Sequence, residues 1–297
     1  MEPSTFCGAC DTHVWYENHE LKAGEQIKLF GIDGEDTRTL WLDMRNCSGT
    51  LDSASFSLLP NIEYLSMTKC NIESCSEAFS ALEKLTSLDF NKTSFPLEAE
   101  TFKDNKGITN LYLNGVENPK SSCFQHLDKL ETLTFESSTF DIINSDTFAG
   151  LISLKNLTLE HCKIGSIDVD ALCNLNCLEG INIRDSEISE VNLDTFAKLE
   201  NIKFLSLHHN NIQSDVNYNV FEQLKALDTI HFDTSIYNTL NFDNFPSLHN
   251  VRIGYKDDGD EPDVEQLIAK LNAKDIKTEY IFCGTVDCDS DDMEQCC

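Results

Sequence analysis

The feature that most constrains this chain is one phrase repeated ten times between Leu42 and Ile253, L-x-x-L-x-L-x-x-(N/C/S/T)-x-(I/L/F). In its cleanest copy Ile202, Leu205, Leu207, Asn210 and Ile212 fill the fixed positions. The last residue of each L-x-L core is Met44, Met67, Phe90, Leu113, Phe135, Leu159, Ile183, Leu207, Phe232 or Ile253, at successive intervals of 23, 23, 23, 22, 24, 24, 24, 25 and 21 residues. A second column keeps step: Phe56, Phe79, Phe102, Phe124, Phe148, Phe196, Phe221 and Phe242, with Leu172 once in place of Phe. Alternation such as Leu205-Ser206-Leu207 predicts a short strand with one buried face. Strands from successive turns then pair in parallel, about 4.8 Å apart. The chain returns along the convex side, where each Phe fills the space behind the sheet. No turn can bury its own apolar face, so the stack is cooperative and its ends need caps.

A period inside the ~20–29-residue window is that of leucine-rich repeats and lies below the helical repeat classes. The expected fold is therefore an α/β solenoid, a leucine-rich-repeat horseshoe with a parallel concave sheet. Three regions follow. Residues 1–38 form an N-terminal β cap, with short strands over His13–Tyr16 and Gln26–Phe30 covering the open edge. Residues 39–256 hold about ten repeats. Residues 257–297 form a C-terminal cap: a helix over Asp263–Asn272, where Val264, Leu267, Ile268 and Leu271 keep helical spacing, a strand over Glu279–Phe282, and an acidic cysteine tail.

With 22 basic and 51 acidic residues the formal charge is −29, which argues against nucleic acid and anionic membranes as partners, since both need clustered cations. No stretch reaches the ~18 apolar residues of a membrane span. Residues Met1–Cys7 carry neither a basic nor an apolar leader segment, so no signal peptide is expected within them. Thirteen cysteines, six of them near the ends (Cys7, Cys10, Cys283, Cys288, Cys296, Cys297), suit the caps of a secreted protein. Three glycosylation sequons begin at Asn46, Asn91 and Asn156. Together these favour an extracellular, mature chain.

Cys47, Cys70 and Cys162 occupy the slot that Asn210 fills in its own turn. Small buried thiols are expected there, against the alternative of a Cys47–Cys70 bridge. Cys70–Cys75 and Cys173–Cys177 are local bridge candidates. Adjacent cysteines rarely bridge each other, and thirteen is odd. Cys296 and Cys297 are therefore the candidates for a disulfide-linked homo- or heterodimer, against an ordinary terminal cap.

The residues on either side of each L-x-L marker's last position face the concave side. In the early turns Trp41, Tyr64 and Tyr112, beside Asp43 and Arg45, are the expected anchors for a protein partner. In the late turns Glu160, Arg184, His208 and Asp233 alternate in charge, flanked by His161, Asp185, His209, His231, Arg252 and Tyr255. They read either as a solvated ion-pair ladder or as a polar binding surface. In the second reading the histidines titrate and partner affinity shifts between about pH 5.5 and 7.5. A glycan at Asn156 would cover the middle of the face.

No catalytic residue, cofactor or metal is expected. A zinc enzyme would need three ligands converging on one open metal position, and straight columns on a shallow sheet rarely converge. Asp287-x-Asp289-x-Asp291 lacks the glycine and closing glutamate of a calcium loop. The Asp257–Asp263 cluster reads as a solvated turn. Nucleophile-elbow, phosphate-loop, metalloprotease and dinucleotide motifs are missing.

The segments Asp146–Leu159 and Phe204–Ile212 resemble the extracellular leucine-rich repeats of animals, as in Toll-like receptors and their secreted relatives. The resemblance covers roughly residues 39–256. The short acidic solenoid, cysteine in the Asn slot and the terminal Cys296-Cys297 resemble the secreted leucine-rich-repeat immune proteins of mosquitoes. Longer members of that family continue into a coiled coil, which this chain does not contain. The resemblance implies a non-enzymatic binding protein of insect innate immunity. It also implies two chains joined through the double cysteine and an extracellular partner such as a complement-like thioester protein. The alternatives are the ectodomain of a cell-surface receptor, or a matrix solenoid.

Overall fold

A computed structural model describes residues 13–28, 41–75, 77–210, 212, 217–255 and 262–282. Twelve strands form one sheet in chain order: His13–Glu17, Trp41–Arg45, Tyr64–Thr68, Ser87–Asn91, Asn110–Asn114, Thr132–Glu136, Asn156–Glu160, Gly180–Arg184, Phe204–Ser206, Thr229–Phe232, Asn250–Tyr255 and Lys277–Phe282. Every neighbouring pair is parallel and in unshifted register. This is the solenoid of about ten turns that the repeat predicts.

The alternating apolar residues, from Val14 and Tyr16 to Val251 and Ile253, point into one continuous core. Behind them the Phe column is buried throughout. Phe79 stacks between Phe56 and Phe102, with ring centroids 6.0 and 6.1 Å away. Where such rings pack on the copies above and below, burial becomes cooperative along the stack.

The slot after each strand stitches neighbouring turns through backbone groups that the corner leaves unpaired. Asn210 Nδ2 donates to Ile183 O at 2.6 Å, and Asn210 Oδ1 accepts from Ser186 N at 3.0 Å. Thr93 Oγ1 donates to Met67 O at 2.6 Å and accepts from Cys70 N at 3.1 Å. Cys47, Cys70 and Cys162 sit in the same slot, buried, with their thiols on backbone carbonyls 3.6–3.7 Å away. In the turn after Phe232 the short helix Thr234–Tyr237 changes the corner, and the buried Tyr237 hydroxyl takes over the stitch. It accepts from Phe232 N at 2.7 Å and donates to Arg252 O at 2.6 Å.

After the corners, two three-stranded parallel sheets run down one flank: Glu20–Leu21 with Ser48–Thr50 and Asn71–Ser74, and Thr139–Ile143 with Lys163–Ile167 and Glu187–Val191. Their turns approach so closely that a Cβ on Gly165 would stand 2.3 Å from Asp141 O. At the far end the helix Pro262–Asn272 buries Leu267 and Leu271, and Lys277–Phe282 adds the last strand, as expected.

Two expectations are corrected. Gln26–Lys28 form no strand; Ile27 N instead donates to Ser55 O and its side chain is buried, while residues 29 and 30 lie outside the described residues. The seven described cysteines, Cys47, Cys70, Cys75, Cys123, Cys162, Cys173 and Cys177, are all free thiols. The Cys70–Cys75, Cys173–Cys177 and Cys47–Cys70 bridges are therefore not formed. Cys7, Cys10, residues 256–261 of the acidic turn and the tail from Cys283 to Cys297, including Cys296, Cys297 and the Asp287–Asp291 run, lie outside the described residues.

Candidate functional site

Parallel register turns the concave face into three columns. The first runs His13, Trp41, Tyr64, Ser87, Asn110, Thr132, Asn156, Gly180, Phe204. The middle runs Trp15, Asp43, Ser66, Asp89, Tyr112, Thr134, Thr158, Asn182, Ser206, His231, Arg252, Glu279. The third holds Glu136, Glu160 and Arg184 side by side.

At the early turns the columns build an aromatic and carboxylate patch. Trp41 is 47 % exposed, the largest such surface on this face among the described residues. It stacks on Tyr64 at 4.5 Å and meets His13 edge-on at 5.5 Å, and His13 in turn lies 4.5 Å from Trp15. His13 Nε2 is 2.8 Å from Asp43 Oδ2. Tyr64 is half-buried and donates its hydroxyl to Asp89 Oδ2 at 3.3 Å; Tyr112, also half-buried, follows Asp89 in the middle column. Asp89 Oδ1 is buried with no hydrogen-bond partner within the protein. Burial raises the Asp89 carboxyl to about 6, and burial raises the Tyr64 phenol to about 12. Both shifts have the sign of charge withdrawn from water. The repeat pattern points to Trp41, Tyr64 and Tyr112 but misses His13, Trp15 and Asp89. The signal is present: each stands next to an apolar strand position, on the concave parity.

At the late turns the ladder forms, with changes. Arg184 pairs with Glu160 and lies 3.4 Å from Asp185. His161, exposed, lies 3.6 Å from Glu160. Arg252 Nε donates to Glu279 at 3.0 Å, and its guanidinium covers Phe204 at 5.4 Å. Asp233 precedes the Thr234–Tyr237 helix and accepts from His209 N at 2.9 Å. Tyr255 ends its strand opposite Phe282, and its side chain lies outside what is described.

His208 and His231 overturn the expectation of an exposed titrating surface. Their rings stack at 3.6 Å and both are buried. Burial pushes His208 down to about 4 and His231 down to about 3. They stay neutral through the pH 5.5–7.5 window and cannot switch the face there.

The expectation that straight columns keep metal ligands apart is also corrected. His161, Asp185 and His209 each follow the third column with positive φ, 52°, 52° and 55°. Asp185 and His209 hold this position on adjacent turns, and His209 Nδ1 lies 3.0 Å from Asp185 Oδ1. One ligand atom from each of Asp185, His208 and His209 lies within 4.8 Å of the others, and the same holds for Glu160, His161 and Asp185.

Of the sequon residues, Asn46 is exposed and donates to Asn18 at 3.3 Å, Asn91 is half-buried at a strand end, and Asn156 is exposed in the first column with its amide over Gly180. The Thr93 hydroxyl of the second sequon is spent on the slot.

Two family models match. The leucine-rich-repeat model covers residues 152–212 and 176–234, and the BspA-type leucine-rich-repeat region covers 42–142. No curated protein sequence matches. Among solved structures the chain is similar to a leucine-rich-repeat protein of Leptospira interrogans, at 14 % identity over 91 % of this chain and 71 % of that one, with TM-score 0.60. It is also similar to the leucine-rich-repeat domain of mosquito APL1, at 17 % identity over 81 % of this chain and 70 % of that one, with TM-score 0.55. At such identities the likeness is one of fold.

Proposed function

The chain is a leucine-rich-repeat protein, and from that premise we propose that it is a secreted, non-enzymatic binding protein of insect innate immunity. It takes an extracellular protein partner on the early half of its concave face. The observation that carries the reading is the patch itself: an exposed Trp41 stacked on Tyr64 and rimmed by the Asp43 and Asp89 carboxylates. Large, rigid aromatics beside partly desolvated charges are the usual anchors of protein interfaces. The carboxylates and the charge of −29 favour a basic contact surface on the partner. Family and fold support a protein-interaction scaffold. Secretion rests on the cysteine-rich ends and the sequons, and the immune setting rests on the resemblance of the repeat and its double cysteine to mosquito proteins. A complement-like thioester protein is the partner class that this resemblance suggests, with chains joined through Cys296 or Cys297.

The test immobilises the full chain and measures capture of a complement-like thioester protein from insect haemolymph. Trp41→Ala is expected to weaken capture by about 30-fold, the ~2 kcal/mol of an interface anchor, while leaving thermal stability unchanged. Equal capture by Trp41→Ala and the unmodified chain refutes the assignment of the partner to this patch. On non-reducing gels the secreted protein should run as a dimer that Cys296→Ser with Cys297→Ser converts to monomer; an unmodified monomer rules out the interchain bond.

A further inference from the structure

The late turns bring two imidazoles and a carboxylate together at one point of the ladder. Asp185 Oδ1 and His209 Nδ1 stand 3.0 Å apart. A tetrahedral zinc ion with bonds of about 2.0–2.1 Å holds its donors about 3.3 Å from one another, so this pair already has nearly the needed spacing. His208 supplies the third donor, within 4.8 Å of the other two. Its Nδ1 is 3.0 Å from Oγ of the buried Ser206. With Nδ1–H donated to Ser206, Nε2 carries the free lone pair, the arrangement by which an outer partner fixes a metal-binding tautomer. His209 is anchored as well, through its backbone N–H on Asp233 Oδ1. The His231 ring stacked on His208 at 3.6 Å is buried and holds the His208 ring in place.

Charge favours a cation there. Among the described residues Arg184 is the guanidinium against Asp185, and it is also paired with Glu160. Arg252 also acts on His231 and is paired with Glu279, while Glu136 lies beside Glu160 in register and Asp233 accepts from His209 N, so the carboxylates Asp185, Glu160, Glu136, Asp233 and Glu279 outnumber the two guanidiniums. Two imidazoles and one carboxylate form the donor set of zinc and its neighbours in the transition series, where an all-oxygen set would suit calcium or magnesium. The second grouping, Glu160, His161 and Asp185, is weaker, because Glu160 is committed to Arg184 and His161 is exposed.

We propose that Asp185, His208 and His209 bind one divalent transition-metal ion of the zinc class on the concave face, with the fourth coordination position open outward. Three protein ligands with an open fourth position allow water or a donor from a bound partner to complete the shell.

The experiment titrates the full chain with Co2+ as a spectroscopic substitute for Zn2+. The expected result is visible d–d absorption of a nitrogen- and oxygen-ligated site, saturating at one ion per chain and bleached by Zn2+. The double variant Asp185→Asn with His209→Asn should lose this component, with affinity down by at least about 100-fold, beyond the effect of removing an outer-shell partner. Asparagine tolerates positive φ, so the backbone at both positions is kept. Unaltered thermal unfolding of the variant checks this. Independently of any variant, Zn2+ should protect His209 from diethylpyrocarbonate while exposed His249 still reacts. The proposal is overturned by no saturable component or by sulfur-to-cobalt charge transfer alone, which would place the ion on thiols. It is equally overturned by a component that survives the double variant. Because Asp185 belongs to both groupings, the single variants separate them: loss in His161→Ala with retention in His209→Asn would move the site to the weaker grouping and also refute this assignment.

Discussion

Asp89 is the most direct test of how the early patch is built, because replacing one atom separates charge from shape. Its carboxyl is raised from 3.8 to about 6 by burial. A raised acid contributes stability that is fully present below its unfolded pKa and lost as pH rises through the folded value. The window here is pH 3.8 to about 6. At neutral pH the ionised Asp89 is therefore a burden on the fold. A rise of this size corresponds to about 3 kcal/mol, and solvent screening of a group that is only partly buried reduces this to about 1–2 kcal/mol. Asp89→Asn keeps an acceptor for the Tyr64 hydroxyl and removes the charge. Urea unfolding of both proteins at pH 7.5 and pH 4, with unchanged slopes, should show the variant gaining about 1–2 kcal/mol relative to the original chain on going from pH 4 to 7.5. Other titrating groups are common to both and cancel. A difference that is the same at both pH values would refute the reasoning: Asp89 would then be ordinarily solvated, and its buried Oδ1 would have no energetic meaning. The same variant bears on function, since a carboxylate kept at a cost to stability is worth keeping when a partner's cation relieves it. A basic partner should therefore bind more weakly as pH falls through about 6.

The remaining predictions concern the scaffold. Asn210→Ala leaves Ile183 O and Ser186 N buried without partners and should cost about 2–4 kcal/mol in chemical unfolding; Asn210→Ser should recover part of this, because Ser186 serves the slot one turn earlier. Gly165→Ala drives a Cβ against Asp141 O and should cost about 1–3 kcal/mol by the same measurement. Under native, reducing conditions maleimide should modify exposed Cys173 and Cys177 while buried Cys47, Cys70, Cys75, Cys123 and Cys162 react only on unfolding; rapid native labelling of Cys47, Cys70 or Cys162, mapped by mass spectrometry, would contradict the slot assignment.

The parallel sheet, the Phe column, the thiols in the Asn slot and the closing helix over Pro262–Asn272 are all readable along the chain. Each follows from a local rule: alternation sets the strand face, a 21–25-residue period sets the stacking, and helical spacing sets the cap. Trp41 and Tyr64 are readable too, because parity alone places them on the concave side. Convergence is not readable in this way. Whether His209 meets Asp185, or His208 is covered by His231, depends on turns 23 or 24 residues apart in sequence and one step apart in space. A repeat constrains what recurs from turn to turn. Burial, pairing and metal-ligand geometry arise from differences between adjacent turns, and only their contact in three dimensions decides them.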